Sequence, residues 1–93
     1  MINEGLKPLG YQQITSLSSA VALTVPAGTS LVLVSPQSQA VRWRDDGVDP
    51  SATVGYPLSV GSELNYDGAF AGGLKFIEQV ASATINVLYY GRQ

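Results

Sequence analysis

The eight residues ATINVLYY, Ala83 to Tyr90, read as an extended strand. Successive side chains of a strand point to opposite faces, so Ile85, Val87 and Tyr89 share one side and Asn86, Leu88 and Tyr90 the other. The second side is too apolar for open water, which implies that something covers it. Just before it, LKFIEQV (Leu74 to Val80) has the same extended character, and Ala81-Ser82 between the two predicts a hairpin.

The rest of the chain follows the same rhythm. SLVLVS (Ser30 to Ser35) is a continuous apolar run, as expected of a strand covered on both faces, in a central position or at an oligomer contact, with Pro36 stopping it. Val21 to Val25 alternates and ends at the turn Pro26-Ala-Gly28. In Ala40 to Arg44, Val41 and Trp43 share one face while Arg42 and Arg44 share the other, and Asp45-Asp46-Gly47 is a turn signal. Val48 to Tyr56 reads as a loop with a short edge segment at Ala52 to Val54. Two further strands, Pro57 to Val60 and Ser62 to Tyr66, flank Gly61; Asp67-Gly68 turns the chain and Ala69 to Gly73 is a flexible loop. Tyr11 to Leu17 is a first strand. Before it, Gly5, Pro8 and Gly10 interrupt regular structure, which suggests an extended arm containing Leu6 and Lys7.

No helical period is present, and ten glycines and five prolines punctuate the chain. Roughly seven to nine short strands with frequent turn signals indicate an all-β protein. The expectation is a small β-sandwich of jelly-roll character, residues 11–93, with an extended N-terminal arm over residues 1–10.

Composition constrains what such a protein does. Ninety-three residues make one domain, and neither cysteine nor histidine is present to supply disulfides or the usual zinc ligands. Apolar residues are 45% of the chain and charged residues 13%, about half the usual share. Association stabilises such a chain, so a homo-oligomer, dimer or trimer, or a larger partner is expected. A net charge of −2 with scattered basic residues (Lys7, Arg42, Arg44, Lys75, Arg92) argues against nucleic acid. No stretch approaches the ~20 apolar residues of a membrane-spanning helix. The first residues, Met1 to Gly5, carry an early acid and no signal-peptide pattern, so the expected setting is a cytoplasm or release by a route other than secretion.

Catalytic chemistry is hard to assemble from these residues. Histidine and cysteine are missing, no G-x-S-x-G elbow occurs, and the carboxylates Glu63, Glu78, Asp45, Asp46 and Asp49 have little cleft to enclose them. Neither an enzyme nor a cofactor is expected. Asp45-Asp46-Gly-Val-Asp49 is acidic, but its spacing is not that of an EF-hand, and Asp and Gly are what a turn prefers, so no metal site is expected. Arg42-Trp43-Arg44 allows two readings. Both arginines could meet acids on a partner with Asp45, Asp46 and Asp49 beside them; or they could pair within the chain, with Asp45, Asp46 or Glu78, around Trp43 as a core anchor. Tyr56, Tyr66, Tyr89 and Tyr90 are candidates for a sugar-stacking platform or for packing, although adjacent Tyr89 and Tyr90 must face opposite sides.

From about Val21 to Arg92 the chain resembles small proteins encoded in the structural gene clusters of tailed bacteriophages and prophages. The resemblance rests on Leu23-Thr-Val-Pro-Ala-Gly28, on Ala40-Val-Arg-Trp-Arg-Asp-Asp-Gly47 with Asp49-Pro50, and on Phe76-Ile-Glu78 and Ile85-Asn-Val-Leu-Tyr-Tyr90. It implies a component of the virion, assembled in the bacterial cytoplasm. Head decoration (cement) proteins, which bind the major capsid protein, are the favoured role; neck, tail or fibre adaptors and a carbohydrate-binding attachment module are alternatives. The arm, Arg42, Arg44 and the loops Asp45–Asp49 and Ala69–Gly73 are then the expected contacts. A cupin-like binder is a third reading, disfavoured in its metal-dependent form because the histidines are absent.

Overall fold

The computed structural model describes residues 5–93. Eight strands follow along the chain: β1 (Leu6–Ile14), β2 (Val21–Ala22), β3 (Thr29–Gln37), β4 (Val41–Arg44), β5 (Tyr56–Leu58), β6 (Leu64–Asp67), β7 (Lys75–Glu78) and β8 (Thr84–Arg92). A 3-10 turn at Ala71–Gly73 precedes β7. The strands form two four-stranded antiparallel sheets, ordered β1-β8-β3-β6 and β2-β7-β4-β5.

The order is nested. β1 pairs with β8, β2 with β7, β3 with β6 and β4 with β5, while β3·β8 and β4·β7 add the lateral contacts. Every connection except β4–β5 crosses from one sheet to the other. The chain behaves like one long antiparallel ribbon, doubled back at β4–β5 and rolled up.

Alternation along the strands builds the interior. Val32 and Val34 of β3, Ile85, Val87 and Tyr89 of β8, Val41 of β4 and Phe76 of β7 are buried between the sheets. Leu58 of β5 and Leu17, Leu23, Ala71, Leu74 and Ala83, from the connections, complete the same cluster. At ~25 cal/mol per Å² of apolar surface removed from water, this shared interior is the main force holding the sheets together.

Two sequence expectations change. Leu74–Val80 and Ala83–Tyr90 do not pair as a hairpin: β7 lies between β2 and β4, and β8 between β1 and β3 in the opposite sheet. A tight two-residue reversal needs positive φ at residues that tolerate it, and Ala81-Ser82 is poor turn chemistry. The chain instead arches between the sheets, with Ser82 at φ 76° and the Glu78 carboxylate accepting the amides of Ser82 (3.1 Å) and Ala83 (3.3 Å).

The second change concerns the arm. Leu6 to Gly10 form the first half of β1, in register with β8 from Leu6 opposite Arg92 to Ile14 opposite Ile85. Pro8 and Gly10 do not break this strand because it is an edge strand: proline can lack a donor there, and the register slips by the one extra residue, Leu9, between them. The remainder of the expected arm, residues 1–4, lies outside the described residues.

Smaller differences have similar causes. Pro36 does not stop β3, which continues to Gln37 opposite Thr84. It lies beyond the last β6 partner, where β3 is itself an edge on that side. Of Val21–Val25 only Val21–Ala22 pairs, and Ala52–Val54, expected as an edge segment, lies in a turn closed by reciprocal backbone bonds between Ser51 and Val54 of 2.8 and 3.3 Å. β3 is central, between β8 and β6, as its apolar run implied.

Candidate functional site

Trp43 organises one end of the β2-β7-β4-β5 sheet. The register places it opposite Tyr56 on β5 and Phe76 on β7, and Phe76 opposite Val21 on β2. An aromatic row therefore crosses the sheet from Tyr56, 67% exposed, to Phe76, fully buried. The Trp43 and Tyr56 ring centroids lie 5.4 Å apart at 57°, and Tyr66 meets Trp43 edge-on at 6.1 Å and 78°. The indole Nε1 is buried and has no hydrogen-bond partner among the described residues. Ring packing alone thus holds the indole, at the margin of the core rather than at its centre.

Both arginines of the Arg-Trp-Arg run are engaged within the chain. Arg44 donates from Nε (3.0 Å) and from its terminal nitrogen (2.6 Å) to the two oxygens of Asp46, a bidentate pair that holds the Asp46 carboxyl below its ordinary range. Arg42 donates to the carbonyls of Ala52 (3.1 Å) and Gly55 (2.9 Å). Gly55 has φ 145°, and a Cβ there would lie 3.1 Å from the Cβ atoms of both Arg42 and Pro50. Only glycine lets this segment close over β4.

The acids fan out to separate partners. Asp45 accepts the Tyr66 hydroxyl, Asp46 takes Arg44, and Asp49 pairs with Lys75 at 2.8 Å. Among the described residues no three His, Cys, Asp or Glu side chains gather as metal ligands. The outcome is an open cleft of about 320 Å³, walled by Trp43, Tyr56, Arg44, Asp45 and Asp46.

The second surface is the outer face of the β1-β8-β3-β6 sheet. One row runs Tyr11–Leu88–Leu33 across β1, β8 and β3, and the adjacent row runs Pro8–Tyr90–Leu31. Leu33 is only 4% exposed although it lies outside the core cluster, while Leu88 is 40% and Tyr11 59% exposed. Beside these rows the Asn86 side-chain oxygen accepts from Tyr11 (2.6 Å) and Gln13 (3.0 Å), and its nitrogen donates to Gln37 (3.0 Å). This polar line fixes one border of a contiguous apolar patch.

Arg42, Trp43, Arg44, Asp45, Asp46 and Asp49 therefore gather around β4, whereas Leu6 and Lys7 belong to β1 in the other sheet. The four tyrosines do not form one platform: Tyr56 and Tyr66 flank Trp43, Tyr89 is buried, and Tyr90 lies on the outer patch. The patch itself was foreshadowed by the apolar second side of Ala83–Tyr90 and by the continuous apolar run Ser30–Ser35.

Two tyrosines tie stability to alkaline pH. Tyr66 ionises above its ordinary value of 10 because Asp45 holds its hydroxyl, and Tyr89 does so because it is buried. The unfolded chain loses these protons first. Their contribution is therefore intact below pH 10 and is lost as pH rises through the higher folded values. Urea midpoints are expected to fall as pH passes 10, and to fall less in a Tyr66→Phe/Tyr89→Phe variant. An identical slope in the variant contradicts this assignment.

Comparison with protein-family models, with curated proteins and with solved structures gave no match.

Proposed function

We propose that the protein is a non-catalytic structural component of a tailed-phage particle, acting as a head decoration protein that binds the major capsid protein. Its sandwich is then a jelly roll, a reading supported by the nested order β1-β8-β3-β6 over β2-β7-β4-β5. Jelly rolls occur in viral shell proteins, lectins and cupins, so this architecture narrows the role without naming it.

The observation that carries the reading is the apolar outer face of the β1-β8-β3-β6 sheet, where exposed Tyr11 and Leu88 sit beside half-buried Tyr90 and Leu31 over buried Leu33, on a chain with 13% charged residues. Contiguous exposed apolar surface is characteristic of a contact face. The resemblance of residues 21–92 to phage structural proteins supports a virion component as the partner, and the major capsid protein is the favoured one. Because Arg42 and Arg44 are already bound within the chain, the patch is the favoured contact, for the capsid protein and for self-association as dimers or trimers alike.

Co-sedimentation with emptied phage heads tests this. The wild-type chain is expected to saturate the heads, and Leu88→Asp, a change at a 40%-exposed position, to bind roughly tenfold more weakly or worse while folding normally. Equal binding by wild type and Leu88→Asp removes the patch from the interface; no binding by wild type removes the decoration role.

A further inference from the structure

We propose that the cleft beside Trp43 is a binding site for a neutral saccharide, with one pyranose ring stacked on the Tyr56–Trp43 wall and its hydroxyls on Arg44, Asp45 and Asp46. This site is independent of the outer patch, which lies on the other sheet.

A pyranose has an apolar C–H face and a rim of hydroxyls that both donate and accept. Its site needs an accessible aromatic surface beside polar groups with unused capacity of both kinds. Tyr56 supplies the surface: it is 67% exposed and sits at the edge strand β5, tilted against Trp43. Arg44 supplies donors. A guanidinium has five N–H groups, and Arg44 gives two to Asp46, leaving three. Asp45 supplies acceptors, since Tyr66 occupies one of its oxygens and the other accepts nothing among the described residues.

The charge pattern selects against anions. One guanidinium and two carboxylates line the wall, leaving one net negative charge, so an anionic sugar or phosphate would be repelled by Asp45 and Asp46. A quaternary ammonium meets no such repulsion but needs an aromatic cage, and Tyr66, which would complete one, does not line the cleft. A neutral polyol needs neither a counter-charge nor a cage.

The walls are also ordered before any ligand arrives. Arg44 is locked bidentate on Asp46, and Arg42 ties down Ala52 and Gly55 behind Tyr56. Preorganisation lowers the entropic cost of binding. At about 320 Å³ and open to solvent, the cleft suits one or two rings of a longer glycan rather than an enclosed small molecule.

Trp43 is the sole tryptophan, so its fluorescence reports on the cleft directly. The free protein would be titrated with neutral tetrasaccharides built from glucose, galactose, mannose and N-acetylglucosamine, and with a sialylated oligosaccharide and tetramethylammonium as charged controls. The expected result is a saturable change with at least one neutral sugar and none with either control. Tyr56→Ala and Asp46→Asn, at exposed positions and with folding checked by circular dichroism, are each expected to weaken that binding roughly tenfold. Silence across all four neutral sugars overturns the proposal. So does binding of a charged control as tight as that of any neutral sugar, or undiminished binding by the folded variants. Because no phage head enters the assay, its outcome is separate from that of the decoration test.

Discussion

Phe76→Ala is expected to lower the unfolding free energy by about 3–5 kcal/mol. Phe76 is fully buried and is among the largest side chains in the interior. Sheets in a sandwich face each other across ~10 Å, a gap that paired side chains must fill. β7 places Phe76 between Val21 and Trp43 within its own sheet, in one buried cluster with Val32, Val34, Ile85 and Val87 of the opposite sheet. Truncation leaves a void that two rigid sheets cannot collapse. A single domain has only ~5–15 kcal/mol in total, and this one has no disulfide in reserve. Urea titration followed by far-UV circular dichroism measures the loss; a loss below ~1 kcal/mol would mean that Phe76 is not in the core.

Gly68→Ala is expected to destabilise the fold next most after Phe76→Ala. A Cβ on Gly68 would lie 2.4 Å from the Thr29 carbonyl oxygen and 2.5 Å from its carbon, both backbone atoms that cannot swing aside. The same glycine donates its amide to Ser30 at 2.9 Å, which ties the end of β6 to β3. The methyl group must push these strands apart, at a cost of about 1–3 kcal/mol or more. Gly72→Ala is the matched control, since nothing lies within 4 Å of its Cβ position. Urea midpoints should drop for Gly68→Ala and barely move for Gly72→Ala. Equal shifts would point to chain entropy rather than to this contact.

The strands were more legible than their pairing. Ala83–Tyr90 and Ser30–Ser35 announce themselves because alternation and continuous apolar runs are local signals. The nested order is not local: Leu6 meets Arg92, and Val21 meets Phe76. Adjacent strands such as β7 and β8 look like a hairpin until the poor turn chemistry of Ala81-Ser82 is weighed. The first half of β1, before Tyr11, was hidden for the opposite reason, because Pro8 and Gly10, which usually interrupt structure, are tolerated on an edge strand with a bulge.

The candidate site was legible in part. Arg42-Trp43-Arg44 stood out, as did the turn after it, and the pairing of Arg44 with Asp46 follows one of the two readings left open. Tyr56 is among the candidates for sugar stacking in the sequence, but its placement beside Trp43 does not show there, because only the β4–β5 register brings it against a residue thirteen positions away. The bonds of Arg42 to the carbonyls of Ala52 and Gly55 were equally invisible, since backbone acceptors carry no residue-type signal.

The proposed decoration role is tested most directly by electron cryomicroscopy of intact tailed-phage particles produced in cells that make this protein. The account predicts density for the eight-stranded sandwich repeated over the head lattice, with the β1-β8-β3-β6 face and its Tyr11–Leu88–Leu33 row against the shell. Absence of that density from the head, whether the protein is confined to neck, tail or fibres or is missing from the particle, would contradict it.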